Sequence, residues 1–363
     1  MPRNKSIFAS DLHLGVIADD STGGRQFAWV LDEDEAAHDF ASFVRAVNAD
    51  PDVAEVVLLG DIFDTWICPI EMKPPTMDRL LASHAGKTVM TALETLSANP
   101  EARTIYLPGN HDMDMTAEIL ARYLPNIAFA SVFEKGRVRA EHGHVYGMFN
   151  APDSSQPLAG ELPLGYFMTR LWAWRERPAA GAAPPHSPVA RRAIFRDILG
   201  IFHKISVART AWDLVAADAM APPEAQIVLP DGCGAPPAVT IETVGERFHG
   251  LFSKWEAATD LARAAKAFEA EHKLDVVAPT VAADCAANIV VFGHAHEAAL
   301  ERRTSEAGKP FLYANCGSWC EAHKPRTFVE VVRDDFTGVS TVLLAEWRNG
   351  AIARVMGAES IVA

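Results

Sequence analysis

The stretch from Val56 to Trp66 constrains this chain more than any other part of its sequence. Val56 to Leu59 is a short, continuous apolar run that opens with β-branched residues, which is typical of a strand buried on both faces. Gly60 then allows the backbone to turn, and the carboxylate of Asp61 follows at once. Ligands of open α/β sheets collect beyond the carboxyl ends of the strands. We therefore expect Asp61 to lie at a functional edge of a sheet.

The same pattern, an apolar run followed by polar residues, recurs along the chain. Each cluster alone fits an ordinary turn, since Asp and Asn are common in turns. Recurrence favours one shared site, and carboxylate, imidazole and amide groups without cysteine suit borderline divalent metals. We expect Asp11 and His13 to share one side of an extended segment, because side chains alternate along a strand. The clusters are Asp11 and His13 after the run 6–10, Asp61 after 56–59, Asn110, His111 and Asp112 after 103–108, His142 and His144 after 138–140, and His294 and His296 after 287–292.

Periodicity predicts an α/β fold interrupted by an insertion. Helical spacing separates the first apolar runs, which indicates a β-α-β-α order. Residues 150–285 differ in character, with dense Pro and Ala at 178–190, and we interpret them as a helical insertion, or cap. The core then consists of residues 1–149 and 286–363. The predicted helices cover 32–49, 77–97, 190–219 and 245–272, and a closing run of antiparallel strands is predicted at 311–315, 327–332 and 339–347.

Composition narrows the class of protein. The net charge of −14 argues against a general polyanion-binding surface, so nucleic acid is not an expected partner. It does not exclude a phosphate substrate, because bound divalent metals invert the local charge. The N-terminus reaches a charged residue too early for a signal peptide, and no apolar run is long enough to span a membrane. We expect a cytoplasmic protein whose five scattered cysteines stay reduced.

With these clusters the sequence resembles the calcineurin-like metallophosphoesterases. Their pattern of D-x-H, G-D-x-x-D, G-N-H-D, H and G-H-x-H is matched in order by motifs between residues 8 and 296. The resemblance implies a four-layer α/β/β/α sandwich and hydrolysis of a phosphodiester, phosphomonoester or pyrophosphate bond. Ser10 to Gly15 and Gly60 to Trp66 look most like the branch that hydrolyses UDP-2,3-diacylglucosamine in lipid A synthesis. That branch typically has Arg where this chain has His111.

The resemblance also implies roles for the residues of the clusters. Asp61 would bridge two divalent metal ions; we favour Mn²⁺, with Fe or Zn²⁺ as alternatives. A metal-bridging hydroxide would attack phosphorus, His111 would protonate the leaving oxygen, and Asp112 would orient His111. Arg170 or Arg175 of the insertion would pair with a second phosphate or head group. The implied ligands are Asp11, His13, Asp61 and His296 for the first metal, and Asp61, Asn110, His142 and His294 for the second.

Two other classes of function, and the identity of the substrate, remain open at this stage. A non-catalytic scaffold on the same fold would be expected to lose a ligand or the histidine of G-N-H-D, and this chain keeps them all. A nuclease would need a basic stripe, which the sequence lacks. The substrate would be a small phosphodiester, a nucleotide pyrophosphate or a lipid-linked pyrophosphate, and the sequence does not decide among them. In the lipid case the aromatic residues of the stretch 166–174 would contact a membrane surface, unless they pack in a core.

Overall fold

The computed structural model describes residues 3–15, 18–19, 24–25, 33–151, 162–175, 207–231, 237–258, 261–321, 323–334 and 336–362. The Pro- and Ala-rich stretch 178–190 and the first part of the helix predicted at 190–219 lie outside these residues. The strands are β1 (Lys5–Ala9), β2 (Ala18–Asp19), β3 (Gly24–Arg25), β4 (Val53–Leu59), β5 (Arg103–Leu107), β6 (Ala128–Phe129), β7 (Phe133–Lys135), β8 (Val138–Ala140), β9 (Gln226–Val228), β10 (Ala238–Thr240), β11 (Ile289–Phe292), β12 (Ala299–Thr304), β13 (Pro310–Asn315), β14 (Thr327–Asp334), β15 (Val339–Arg348) and β16 (Ala351–Val362).

The helices lie between these strands in the order that the α/β pattern predicts. Short 3-10 turns cover His144–Tyr146 and Leu274–Val276. None of the helices within the described residues is long and apolar enough to cross a membrane. The α-helices are α1 (Glu33–Ala49), α2 (Met77–Ala82), α3 (His84–Ser97), α4 (Ala117–Tyr123), α5 (Leu164–Arg175), α6 (Val207–Asp218), α7 (Ile241–Ala258), α8 (Leu261–Glu269) and α9 (Ala278–Asp284).

Two large sheets pack face to face. One has seven strands in the order β16-β15-β14-β1-β4-β5-β6, and the other has five in the order β12-β13-β11-β8-β7. Strands β1, β4 and β5 run parallel to one another, as do β8, β11 and β13. The carboxyl ends of the parallel strands within each sheet therefore meet at one edge, which is where the polar clusters of the sequence follow.

Burial on both faces of the central strands produces the four layers. In β4, Val56 and Leu58 pack in the cluster that holds α1 and α3, while Val57 and Leu59 pack in the cluster between the sheets. All four side chains are at most 2% exposed. The central strand β11 of the second sheet alternates likewise, and its outer face packs against α9. The α/β/β/α sandwich is thus confirmed, since the continuous apolar runs are strands with a core on each side.

Several element predictions need correction. The helix predicted at 77–97 is two helices, because Ser83 has an extended backbone (ψ 164°) and its side chain caps the second by accepting from the N–H of Gly86. The predicted closing strands do not form one antiparallel run. The first of them, β13, lies in the other sheet and pairs parallel with β11, whereas β14, β15 and β16 are antiparallel. Strands β12 and β16 were absent from the prediction.

The insertion has a core of its own but is not purely helical. Its aromatic side chains pack around α5, α6 and α7, and the two-stranded sheet of β9 and β10 covers one side. Residues 270–282 pack instead on the outer face of the second sheet, so the end of the predicted insertion contributes to the sandwich. Tyr166, Phe167 and Trp172 are buried, at 1%, 0% and 9% exposure. These three aromatic side chains therefore pack in a core, and membrane contact by the insertion stays a prediction.

Candidate metal centre

All seven residues predicted as metal ligands lie at the edge where the parallel strands end. Each cluster directly follows its strand: β1 leads to Asp11, β4 to Asp61, β5 to Asn110, β8 to His142 and β11 to His294. Asp11, Asp61, Asn110 and His142 are at most 2% exposed. The two sheets thus present their strand ends to a common, largely buried centre.

The backbone at this centre is strained in a consistent way. Five of the predicted ligands have left-handed φ angles: Asp11 (58°), His13 (47°), Asp61 (53°), His294 (63°) and His296 (56°). Residues with a Cβ rarely adopt this conformation, at a cost of about 1–2 kcal/mol each. Asp11 and His13 therefore do not lie on an extended segment, and their predicted alternation was wrong. Such strain persists where the surrounding fold fixes the position of a functional group.

Four side chains converge at the first predicted metal position. His13 Nε2 lies 3.8 Å from Asp11 Oδ1, 3.6 Å from Asp61 Oδ2 and 3.1 Å from His296 Nε2. His296 Nε2 lies 3.3 Å from Asp11 Oδ1. The Nδ1 atoms of the two rings face carboxylates, so the Nε2 lone pairs of His13 and His296 point at each other. A bound cation, like a shared proton, relieves that repulsion.

The second predicted position shares one carboxylate with the first. His142 Nε2 lies 3.1 Å from Asp61 Oδ2 and 3.2 Å from Asn110 Oδ1. His294 Nε2 is buried without a hydrogen-bond partner among the described residues, and its ring lies 5.2 Å from that of His142. Asp61 Oδ2 therefore faces His13 on one side and His142 on the other, while Asp61 Oδ1 accepts from the backbone N–H of His111. Carboxylate, amide and imidazole donors in this arrangement fit two divalent cations.

A glycine allows the close approach of two strand ends. A Cβ on Gly109 would lie 2.1 Å from Asp61 Oδ1, which is far inside van der Waals contact. The loop that carries Asn110 therefore packs against the carboxylate of Asp61 only because residue 109 has no side chain. This explains in steric terms why Gly precedes Asn110 and His111 in the cluster.

The outer ring nitrogens are held by partners that fix the imidazole orientation. His142 Nδ1 donates to the carbonyl of Leu59 at 2.8 Å, and His296 Nδ1 donates to Glu321 Oε1 at 3.0 Å. Such partners set the tautomer and leave Nε2 for the metal. Sequence reasoning missed Glu321, because it lies beyond the clusters and nothing in its spacing distinguishes it. The Sγ of Cys320 also lies 3.7 Å from His296 Nδ1, so a cysteine lies next to one of the predicted ligands.

Asp64, and not Asp112, orients His111. The Nδ1 of His111 donates to Asp64 Oδ2 at 2.8 Å, and the indole of Trp66 stacks on the imidazole with centroids 4.5 Å apart. The same Asp64 oxygen accepts from His13 Nδ1 at 2.9 Å. The predicted role of Asp112 was therefore wrong, although that of His111 stays a prediction.

Asp112 instead anchors the turns at this edge. Its carboxylate accepts from the hydroxyl of Tyr106 and from the backbone N–H groups of Ile62 and Gly109. Burial, and next the charge of Asp61, raise the pKa of Asp112 to about 7. A carboxyl group so deeply buried and so fully hydrogen-bonded serves the backbone of the two loops rather than an imidazole.

The carboxylates and imidazoles of the centre stabilise one another's charged forms. Burial opposes ionisation of Asp61, but the charges of His142 and His111 hold its pKa well below the ordinary value. Burial also disfavours the charged form of His142, yet Asp61 and Asp11 raise the pKa of His142 to about 9. The carboxylates therefore attract positive charge to the ring nitrogens, and a divalent cation can replace the protons there.

His144 lies beside the second position without a fixed partner. It is 8% exposed, its Nδ1 has no hydrogen-bond partner among the described residues, and its ring lies 5.4 Å from that of His142. Burial, and then the neighbouring His142, lower the pKa of His144 to about 3. His144 is therefore neutral at ordinary pH.

The two arginines predicted to bind a second phosphate have other roles. Arg170 is fully buried and donates to the backbone carbonyls of Cys68, Pro69, Ile70, Met72 and Val228. Arg175 pairs with Asp218 at 2.7 Å. Arg170 therefore joins the loop after Trp66 to the insertion, and its guanidinium is fully engaged by backbone carbonyls.

Comparisons with known proteins bear on this centre. The sequence profile described as calcineurin-like phosphoesterase matches residues 5–176. No curated protein matches the chain in sequence. Among solved structures, the chain is similar to the 5'-nucleotidase precursor from Thermus thermophilus, with 11% identity and a TM-score of 0.30. The similarity covers 99% of this chain and 54% of that protein, so the chain spans about half the length of that relative. So distant a likeness says nothing about the substrate.

The family match and the geometry agree. The matched residues contain four of the five polar clusters, and the fold brings the fifth, at His294 and His296, to the same centre. Three groups of acidic, imidazole or thiol side chains there have ligand atoms close enough to hold a metal ion. Residues 5–176 thus match the calcineurin-like phosphoesterases, and the clustered carboxylate and imidazole groups are consistent with metal-dependent hydrolysis.

Proposed function

We propose that the centre hydrolyses a phosphoester bond with two divalent cations and that Asp61 bridges them. The observation that carries this proposal is the position of Asp61 Oδ2, 3.6 Å from His13 Nε2 and 3.1 Å from His142 Nε2. One oxygen between two sets of donors suits a pair of cations about 3.5–4 Å apart. The first set is Asp11, His13, Asp61 and His296, and the second is Asp61, Asn110, His142 and His294.

In the proposed reaction the protein's own residues donate a proton and orient the group that donates it. Bound cations would neutralise the phosphate oxygens and lower the pKa of water. His111 would donate a proton from Nε2 to the leaving oxygen, since its Nδ1 is engaged by Asp64. Asp64 would hold the ring in that tautomer and stabilise its protonated form, while Trp66 restricts the ring from one face. General acid catalysis of this kind contributes about 10²–10⁴-fold to the rate.

A largely apolar pocket is lined by residues of α5, α7 and α8, and none of the residues predicted as metal ligands lines it. It encloses about 530 Å³ between the core and the insertion, a size common for small-molecule sites. Its wall starts at Val145, directly after His144, and includes apolar side chains of α5 and α7 together with Arg263 and Lys266 of α8. The apolar lining residues are Val145, Met148, Leu164, Phe248, Leu251, Phe252 and Val277.

We propose a lipid-linked phosphoester, such as UDP-2,3-diacylglucosamine, as the first substrate to test. The apolar lining of this pocket suits an acyl chain. The motif resemblance of residues 10–15 and 60–66 supports the same choice. That branch typically has Arg at the position of His111. A histidine, unlike an arginine, can donate a proton to a poor leaving group.

The test is hydrolysis by metal-stripped protein with Mn²⁺ added back. Bis(p-nitrophenyl) phosphate reports the reaction class, and UDP-2,3-diacylglucosamine reports the substrate. Metal-restored hydrolysis of the generic ester is the expected result, with a higher kcat/KM for the lipid. Hydrolysis of the generic ester alone would refute the lipid substrate and leave the reaction class standing. No hydrolysis of either, by folded protein carrying two metal ions, would refute the reaction class.

A further inference from the structure

The amide of Asn110 is oriented by a second asparagine, Asn150, on the side away from the metal centre. Its Oδ1 faces His142 Nε2 at 3.2 Å, and its Nδ2 donates to Asn150 Oδ1 at 3.3 Å. An amide presents a donor on one side and an acceptor on the other, so the group that accepts from Nδ2 decides where Oδ1 points. Asn150 therefore turns the carbonyl oxygen of Asn110 toward the metal centre.

Asn150 is oriented in turn by a buried carboxylate. Its Nδ2 donates to Glu271 Oε2 at 2.5 Å, and the other oxygen, Glu271 Oε1, accepts from the backbone N–H groups of Phe149 and Asn150. Glu271 is only 5% exposed. Above its pKa of about 7, Glu271 is ionised and only accepts hydrogen bonds. It then requires the NH₂ of Asn150 to face it, which leaves Asn150 Oδ1 to face Asn110.

The fold encloses this chain of hydrogen bonds tightly. Gly165, near the start of α5, approaches so closely that a Cβ there would lie 2.3 Å from Asn150 Oδ1. Asn150 stands where the chain enters the insertion, and Glu271 lies directly after α8, near the point where it leaves. The two ends of the insertion thus meet behind Asn110.

We propose that Asn150 and Glu271 are positioning residues that set the amide direction of Asn110 and so tune metal affinity at the second position. The inference rests on the proposed metal site. It assigns a function to the ends of the insertion that is separate from substrate binding. An Asn110 with the opposite direction would present NH₂ to the cation, and an amide NH₂ is not a metal ligand.

Glu271→Gln tests the direction of the hydrogen bonds that link Glu271, Asn150 and Asn110. The backbone N–H groups of Phe149 and Asn150 keep the oxygen of the new amide at the Oε1 position, so its NH₂ faces the NH₂ of Asn150. Two donors then oppose each other, Asn150 turns, and Asn110 turns with it. We expect one of the two Mn²⁺ ions to bind about 10–100-fold more weakly. Isothermal titration calorimetry and elemental analysis after dialysis measure this without reference to catalysis.

The double variant Asn150→Asp/Glu271→Gln should restore binding. The carboxylate introduced by Asn150→Asp accepts from Asn110 on one side and from the new amide at 271 on the other. One hydrogen bond is thereby reversed, and the direction of Asn110 is preserved. Asn150→Asp alone sets two carboxylates face to face and should also weaken binding. Recovery in the double variant would not follow from a merely structural role.

Glu55→Gln is the matched control. Glu55 is a carboxylate of similar burial, 6% exposed, in β4 near the end opposite to Gly60, where it accepts from Ser6 and Arg333. This variant should keep both Mn²⁺ ions. Thermal unfolding of each variant establishes that it is folded. If Glu271→Gln alone does not fold, the loss of affinity in Asn150→Asp and its recovery in the double variant carry the test.

The outcomes separate the inference from the function on which it rests. A wild-type protein that does not bind two Mn²⁺ ions would refute the two-metal proposal itself. A wild type with two ions and a folded Glu271→Gln variant of unchanged affinity would overturn only the positioning role. Weak binding in both single variants that persists in the double variant would also overturn it.

Discussion

Asp64→Asn is the change that most directly probes the proposed chemistry, because one carboxylate oxygen serves two imidazoles. Asp64 Oδ2 accepts from His13 Nδ1 at 2.9 Å and from His111 Nδ1 at 2.8 Å. Asp64 Oδ1 accepts from the backbone N–H groups of Trp66 and Ile67. Those N–H groups would keep the oxygen of the new amide in place, so its NH₂ would face both rings.

The consequences follow from the tautomers. An imidazole that accepts at Nδ1 carries its proton at Nε2, so His13 would lose the lone pair that faces the metal centre. His111 would lose the negative charge that stabilises its protonated form. We expect metal affinity to fall about 10–100-fold. At saturating Mn²⁺, kcat should still be lower by about 10²–10⁴-fold, equivalent to roughly 3–5 kcal/mol of activation free energy.

Initial rates of bis(p-nitrophenyl) phosphate hydrolysis across a Mn²⁺ titration separate the two effects. Asp114→Asn is the control, since Asp114 is an exposed residue of the same edge whose carboxylate accepts from the hydroxyl of Thr65 at 3.3 Å. That change should alter the activation free energy by no more than about 0.5 kcal/mol. If Asp64→Asn regains wild-type kcat once Mn²⁺ saturates, the assigned link between Asp64 and His111 is wrong.

Three further substitutions test separate parts of the structure. Asp61→Ala removes the shared oxygen, so elemental analysis should find neither metal retained; two bound ions would rule out the bridging role. His111→Ala should lower kcat about 10²–10⁴-fold with both metals retained, and an unchanged kcat would remove His111 from the mechanism. Arg170→Met leaves several buried carbonyls without a hydrogen-bond donor, so the free energy of unfolding in urea should fall by at least about 3 kcal/mol. Unchanged stability would show that Arg170 does not hold the loop after Trp66 against the insertion.

Sequence alone predicts which residues gather at this centre, because their positions follow from strand ends. A buried apolar strand is recognisable, and parallel strands bring the residues after them to one edge. Asp11, Asp61, Asn110, His142 and His294 all occupy such positions. The left-handed φ angles of Asp11, Asp61 and His294 could not be foreseen from side-chain alternation, because the loops turn where the strands end.

The partners of the ligands could not be predicted in the same way. Asp112 is adjacent to His111 in sequence, yet its carboxylate accepts hydrogen bonds from the N–H groups of two loops and from the hydroxyl of Tyr106. Asp64 is 47 residues away and reaches His111 only through tertiary packing. Glu271 lies 121 residues from Asn150. Such pairs depend on which loops the fold brings together, and no local pattern encodes that.

Glu271 also predicts a pH dependence of stability. Burial raises its pKa to about 7, above the ordinary value of 4.5. Between these two values the native state binds more protons than the unfolded state, so the free energy of unfolding should fall as the pH rises from about 4.5 to about 7. Full ionisation would cost roughly 3 kcal/mol.

Comparison with a variant isolates this group from other titrating residues. Asp112 also has a pKa raised to about 7, so the pH profile of the wild type alone cannot be assigned to Glu271. Glu271→Gln does not titrate and retains Asp112. The stability of the wild type minus that of the variant, measured by urea unfolding, should therefore decrease by roughly 3 kcal/mol between about pH 4.5 and 8. A difference that stays constant over this range would mean that burial does not raise the pKa of Glu271.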